Sequence, residues 1–526
     1  MNDAVAQAPP SQFNLAAHLL ARNASRAARI AYADDRTRLS YGELDKRMRQ
    51  FARVLHEHGV RPEERVLLLA HDTVDWPVAF LGCIYAGVVP VAVNTLLTAD
   101  DYAYMLGHSR ARAAIVSQAL LPMLAQALGR EGHAVETVWV IDAKGELASG
   151  QRDFTADVAR AVPLEKPAAT HADDAAFWLY SSGSTGAPKG TVHTHANAYW
   201  TDALYARNVL RLAEDDVVFS AAKLFFAYGL GNALTFPLSA GATTILMPER
   251  PTPQAVFKRL TEQRPTVFYG VPTLYAAMLA AADLPARSAV NMRMCVSAGE
   301  ALPREIGERF TAHFGCEILD GIGSTEMLHI FLSNRAGDVR YGTTGVPVPG
   351  YDVELRGEDG RLVADGEVGD LYIRGPSAAL MYWTNHAKSR ATFQGEWTRS
   401  GDKYVRREDG RYVYAGRADD MLKVSGIYVS PFEVEAALVQ HPAVLEAAVI
   451  GRQDADGLTK TKAFVVLKSG HAPDAALEAA LKAFVKDKLA PYKYPRSIEF
   501  IGELPKTATG KIQRFKLRDR EAARAT

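Results

Sequence analysis

The stretch from Trp76 to Val93 carries no charged residue and approaches the length of a membrane span. How it folds decides what the rest of the chain can be. Gly87 and Pro90 would break a continuous helix, and the stretch follows the apolar run Val66-Leu-Leu-Leu69 and a polar turn at His71-Asp72-Thr73. This spacing predicts a strand, a turn, a helix with Pro77 in its first turn, a stop at Ala86-Gly87 and a second strand from Val88 to Val93. Such a βαβ unit, buried on both faces, is the core of a soluble α/β domain.

The alternation recurs without repeating in sequence. Val217-Val218-Phe219, a helical stretch, Ala240-Gly241 and the strand Thr243 to Met247 form one unit. Thr266 to Tyr269, a helix from Pro272, Met292 to Ser297, a helix from Pro303 and Glu317-Ile318-Leu319 continue the pattern. Strands alternating with helices predict parallel sheets with ligands beyond the carboxyl ends of the strands. From about Tyr341 to Tyr414, alternating apolar residues and the turns Asp359-Gly360 and Asp409-Gly410 predict a β-rich subdomain. The glycine-punctuated segment Gly416 to Gly426 reads as a hinge. Beyond it, helices near Phe432 to Gln440 and Asp474 to Leu489, with strands near Val444 to Ile450 and Lys462 to Leu467, make a small α+β domain. The expected domains are therefore 1–418 and 419–526. Ala143 to Ala175 lacks apolar periodicity and reads as a surface connection.

Composition narrows the function. At 526 residues the chain exceeds a single core. Sixty basic against sixty acidic residues leave no net field to hold nucleic acid or an anionic membrane. Cys83, Cys295 and Cys316 are far apart in apolar surroundings and read as reduced core residues, neither a disulfide framework nor a metal site. Met1 to Gln12 lacks the pattern of a signal peptide, so a cytoplasmic location is expected.

The chemistry concentrates in Tyr180-Ser-Ser-Gly-Ser-Thr-Gly-Ala-Pro-Lys-Gly190, a turn after the apolar Phe177-Trp178-Leu179. Its glycines let backbone N–H groups approach an anion, Ser181, Ser182, Ser184 and Thr185 add donors, and Lys189 adds a charge. That set suits a polyphosphate. It is not a Walker A loop, because Gly190 and not a hydroxyl residue follows Lys189, and it lacks the third glycine of a dinucleotide fingerprint. Asp320-Gly-Ile-Gly-Ser-Thr-Glu326 follows a strand and ends in a hydroxyl beside a carboxylate, a pair suited to Mg²⁺ bridging phosphates. Ser400-Gly-Asp402 places a carboxylate where it can grip a ribose diol. Gly416-Arg-Ala-Asp-Asp420 and Pro505-Lys-Thr-Ala-Thr-Gly-Lys511 add cations in turns. Each cluster alone is an ordinary cap, ion pair or basic tail; their joint occurrence in this order carries the signal.

The ordered set resembles the adenylate-forming superfamily of acyl-CoA synthetases, carrier-loading adenylation domains and luciferases, from about Phe13 to Leu517. Phe13-Asn-Leu-Ala-Ala-His-Leu-Leu-Ala-Arg-Asn23 and Gly323-Ser-Thr-Glu-Met-Leu-His-Ile-Phe331 are similar to benzoate–CoA ligases. The resemblance implies a large α/β adenylation domain with a small mobile C-terminal domain. It also implies ATP, Mg²⁺ and coenzyme A as cofactor and co-substrates. A carboxylate is adenylated with loss of pyrophosphate, and the thiol of coenzyme A then displaces AMP.

Roles follow on the matching positions. Ser182, Gly183, Ser184, Thr185 and Gly186 are implied to hold the β- and γ-phosphates under Lys189. Gly299, Glu300, Ala301, Asp320 and Gly321 border the adenine, with Ile322 on its face. Thr325 contacts the α-phosphate and Glu326 ligates magnesium. Asp402 and Arg417 hold the ribose, and Lys511 neutralises charge at the reacting phosphoryl and acyl oxygens. Asp419 matches the hinge, which brings Lys423, Gly426 and Tyr428 to the thiol channel as Lys511 withdraws. Phe226, Ala227, Tyr228, His329 and Ile330 are implied to enclose the acid. Small Ala227 beside flat Tyr228 suits an unsubstituted aromatic ring. Ligases for other aryl or medium-chain acids and carrier-loading enzymes are the near alternatives; with no carrier segment after Thr526, free coenzyme A is the expected thiol. A phosphoryl transferase would release ADP, and a non-catalytic nucleotide binder would lack Glu326 or Lys511. A homodimer is compatible with the sequence.

Overall fold

The βαβ unit forms as its sequence dictates. A strand Arg65–Leu69 leads through a turn into a helix Asp75–Tyr85 with every residue buried, and Val89–Ala92 returns parallel to the first strand. Gly87, at φ +74°, makes the reversal that a residue with a Cβ resists. The computed structural model describes residues 7–183, 186–418, 420–424, 427–453, 459–489, 493–506 and 512–525. Among them, no helix is long and apolar enough to cross a membrane.

Two compact units emerge, the first comprising 1–353 and 373–399, the second 354–372 and 400–526. They divide elsewhere than 418/419, sharing the β-rich segment between them. In the first unit, six parallel strands form the centre of one sheet: Ile30–Ala33, Thr243–Ile245, Val217–Ser220, Val267–Gly270, Met294–Ser297 and Ile318–Gly323. Ile330–Ser333 then turns back antiparallel on Ile318–Gly323. A second sheet carries the βαβ unit and, beside it, an antiparallel hairpin of Ala175–Gly183 and Gly186–Thr194. Hydrophobic side chains from both faces of these sheets fill the core.

The segment from Ala143 to Ala175 departs from expectation. It contains a strand Gln151–Asp153 and a helix Phe154–Arg160, with Phe154 fully buried against Phe51 at a ring distance of 4.8 Å. Two apolar residues, Phe154 and Val158, spaced one helical turn apart, are enough to anchor a helix too short to show periodicity.

In the second unit, residues 402–406 of the strand Trp397–Arg406 pair antiparallel with Tyr412–Arg417. A three-stranded sheet of Val444–Gln453, Thr459–Leu467 and Ser497–Phe500 is covered by helices Pro431–Val439 and Ala475–Lys488, with a helix Arg514–Ala525 packed near Val444–Gln453. The last strand and last helix have no counterpart in the sequence reading.

Candidate active site

The glycine-rich segment is the tip of the hairpin. Ser181 pairs with Lys189 and Gly183 with Gly186 across it, so the segment runs along two paired strands and does not open a helix as a Walker loop would. Ser182, Gly183 and Gly186 lie at the strand ends, while Ser184 and Thr185 fall outside the described residues. The Ser181 hydroxyl is buried without a protein partner. Lys189 is half-buried, its Nζ 4.7 Å from the ring centroid of Tyr382.

Asp320 sits where the parallel strands end, opposite Ser297 in register. Gly299, at φ +93°, Glu300 and Ala301 follow that neighbouring strand, so the expected adenine border comes from adjacent strand ends. Asn334 donates from its backbone and side chain to the Asp320 carbonyl at 2.9 and 3.2 Å. Gly321 lies so close to the returning strand that a Cβ would stand 2.9 Å from the Leu332 carbonyl oxygen, and Ile322 pairs with Leu332.

Burial lifts the Asp320 carboxyl from its ordinary 3.8 to about 8. Between these values the folded protein keeps a proton that the unfolded chain releases, so stability falls as pH rises through the window and levels off above it. Asp320→Asn removes this slope. Its melting temperature is expected to gain on the wild type steadily from pH 5 to pH 8 in thermal melts; a gap that stays constant with pH would contradict an ionisable Asp320 in the core.

Thr325 and Glu326 occupy the turn between Ile318–Gly323 and Ile330–Ser333. His193 Nε2 donates to the Thr325 carbonyl at 2.9 Å, and burial holds that imidazole neutral by lowering it to about 4. Tyr382 donates its hydroxyl to Glu326 Oε1 at 2.6 Å. Among the described residues no group of three or more His, Cys, Asp or Glu could hold a metal. The donor set offers one carboxylate at the expected phosphate position, which fits Mg²⁺ that keeps most of its oxygens from ATP and water.

The same turn continues into the expected acid pocket. His329 is 2% exposed and ringed by Tyr205, Tyr228 and Phe236, with centroids at 5.5, 5.6 and 4.5 Å. Its Nε2 donates toward the Tyr228 carbonyl and Asn232 Oδ1 at 3.2 and 3.1 Å, while Nδ1 lacks a partner. Burial lowers this imidazole to about 3, so it is neutral. The Tyr228 hydroxyl donates to the Val296 carbonyl at 3.1 Å. Phe226 and Ala227 are half-buried where the chain enters the helix Ala227–Leu230, and Ile330 begins the returning strand. Tyr205 and Asn232 both come from π-helical turns, Asp202–Leu210 and Gly231–Thr235, whose wider winding is frequent at functional sites. Asp72, which reads in sequence as a turn residue, accepts from the Leu224 N–H at 3.2 Å and so anchors the loop bearing Phe226.

In the second unit, Asp402 is buried and Arg417 donates to its Oδ1 at 3.2 Å from the facing strand position. Lys423 pairs in register with Tyr428. Asp419, Gly426 and Lys511 lie outside the described residues; an isolated antiparallel bridge joins Lys506 to Ile512. Sequence reasoning missed His193 and Tyr382, which touch the site only through pairings distant in sequence.

Comparison with known proteins fixes the class. The AMP-binding enzyme family matches residues 19–383, and the AMP-binding enzyme C-terminal domain matches 433–511. The chain belongs to the AMP-binding enzyme family. Within it, the chain is 57% identical to a benzoate–CoA ligase of Thauera aromatica, over 97% of this chain and 96% of that protein. A benzoate CoA ligase from Burkholderia xenovorans LB400 superposes with a TM-score of 0.90 at 66% identity, covering 96% of this chain and all of that one. An anthranilate CoA ligase in complex with anthranoyl-AMP gives 0.94 at 42% identity, covering 98% and 99%.

Proposed function

We propose that this protein is an ATP-dependent acid–thiol ligase that converts benzoate and coenzyme A to benzoyl-CoA, releasing AMP and pyrophosphate. One observation carries the reading: a single turn, Gly323 to Ile330, joins the phosphate end of the site to the aromatic pocket. Thr325 and Glu326 stand at its start and His329 at its end, against the Tyr228 ring. An aromatic acid lying between Ala227, Tyr228 and His329 presents its carboxylate toward the α-phosphate. The likeness to two benzoate–CoA ligases supports the same acid.

The reaction runs in two displacements. A benzoate oxygen attacks the α-phosphorus, the bond to the β-phosphate oxygen breaks, and pyrophosphate leaves with its electrons. The coenzyme A thiol, losing its proton, then attacks the acyl carbon, and AMP leaves. Adenylation turns a poor leaving group into a good one, and positioning with electrostatic stabilisation does most of the catalysis. The hairpin tip with Lys189 takes the β- and γ-phosphates, and Glu326 would hold the Mg²⁺ that accompanies ATP, which would supply charge neutralisation at the phosphates. Asp402 with Arg417 takes the ribose, and Lys511 the charge that builds during adenylation. Asp419 serves as the hinge between the half-reactions, with Lys423, Gly426 and Tyr428 on the thiol side.

Substrate choice follows from the pocket's polarity. The Tyr228 hydroxyl and His329 Nε2 already have protein partners. A ring hydroxyl directed away from His329 Nδ1 and Asn232 Nδ2, the two atoms there without a protein partner, goes unpaired at a cost of about 1–3 kcal/mol. Benzoate is therefore expected to exceed hydroxybenzoates and hexanoate in kcat/KM when acids are compared by coenzyme-A-dependent AMP release. A higher value for 4-hydroxybenzoate or hexanoate would overturn the choice of acid.

A further inference from the structure

Tyr382 touches both charged side chains expected at the triphosphate, although no motif in the sequence marks it. Its short strand, Met381–Tyr382, pairs antiparallel with the second strand of the glycine-rich hairpin, placing Tyr382 opposite Thr191. Lys189 lies two residues from Thr191 on the same face, and diagonal neighbours of this kind are within reach of long side chains. The result is the 4.7 Å approach of Lys189 Nζ to the ring centroid, within cation–π distance. At the other end, the hydroxyl donates to Glu326 Oε1 at 2.6 Å, in the range of charge-assisted bonds.

The backbone leading to Tyr382 is laced to the turn that carries Glu326. The Ala379 N–H donates to the Glu326 carbonyl and the Ser377 hydroxyl to the Met327 carbonyl, both at 2.8 Å. The Tyr382 N–H donates to Ser389 Oγ at 3.0 Å, and the next residue donates to the Gly190 carbonyl at 2.8 Å. At 3% exposure, with Phe393 against its ring at 5.4 Å, the side chain has no freedom to leave.

From this placement we propose that Tyr382 is a positioning residue for Mg·ATP: its hydroxyl fixes the Glu326 carboxylate, and its ring face holds the Lys189 ammonium, before the nucleotide arrives. A neutral phenol orients both charges without cancelling either. The hydrogen bond engages Oε1, and the carboxylate would keep lone pairs for the ion that comes with ATP. The ring face offers the Lys189 ammonium an electrostatic contact that phosphate oxygens can replace. This role rests on the functional reading above.

The test is binding of a non-hydrolysable α,β-methylene ATP to the whole protein by calorimetry, without acid, in Mg²⁺ and in EDTA. Tyr382→Phe keeps the ring and loses the hydroxyl. It is expected to bind about tenfold more weakly in Mg²⁺, the effect of one hydrogen bond to a charged group, and unchanged in EDTA. Tyr382→Leu is expected to lose affinity in both. Adding Tyr382→Phe to Glu326→Gln is expected to cost nothing further in Mg²⁺, because the pair acts through one contact. Equal losses in Mg²⁺ and EDTA for Tyr382→Phe, no loss in either, or additive losses in the double variant would overturn the proposal. A wild type that binds the analogue but exchanges no pyrophosphate with benzoate would sink the functional reading and leave this comparison intact.

Discussion

Lys511→Ala is expected to slow benzoate-dependent pyrophosphate exchange about a hundred- to a thousand-fold, the usual cost of deleting one preorganised donor to a transition state. Thioester formation from supplied benzoyl-adenylate is expected to stay near wild type. The asymmetry has a physical origin. Adenylation concentrates negative charge on the α-phosphoryl and carboxyl oxygens, where an ammonium lowers the barrier. In the second step AMP departs as a stabilised anion, and a lysine on the acyl side would obstruct the thiol. The two half-reactions are measured separately, by exchange of labelled pyrophosphate into ATP and by benzoyl-CoA formed from the isolated adenylate. Equal loss in both would remove Lys511 from a step-specific role.

Gly231→Ala is expected to raise KM for benzoate about five- to 150-fold and to leave KM for ATP unchanged. A Cβ at this position would stand 2.3 Å from His329 Cδ2, 2.6 Å from Nε2 and 3.0 Å from Phe236 Cζ. Something must shift, and Tyr205, Tyr228 and Phe236 surround the imidazole. Overpacking of this sort costs about 1–3 kcal/mol, which corresponds to that range in affinity. Because Nε2 donates toward Asn232 and Tyr228, a displaced ring also breaks the bonds that orient it. Steady-state kinetics with each substrate varied in turn separates the two KM values. A comparable rise for ATP would mean that the whole site had moved.

Much of this was legible where chemistry and local pattern coincide. The uncharged stretch after Leu69 folds as its glycine and prolines require, and the parallel strands fall where apolar runs alternate with helical ones. Thr325, Glu326 and His329 share one turn, and Asp320 lies on the strand that leads into it, so residues near in sequence stay near along the fold. Local pattern fails where the partner is remote. Nothing beside Tyr382 in the chain announces that it will face Lys189 and Glu326, and nothing beside His193 that it will hold the Thr325 carbonyl. The helix Phe154–Arg160 was hidden for another reason: two buried residues are too few to display a period.

The cover over the glycine-rich hairpin has a consequence for biosynthesis. Val192 waits for Met381, which emerges from the ribosome long after it. Until then the nascent polypeptide presents an open strand edge beside the apolar Phe177 and Trp178, the kind of surface that recruits chaperones or templates aggregation. Chains truncated shortly before Met381 should therefore be insoluble, whereas those ending shortly after the paired dipeptide should show the first protease-resistant amino-terminal fragment.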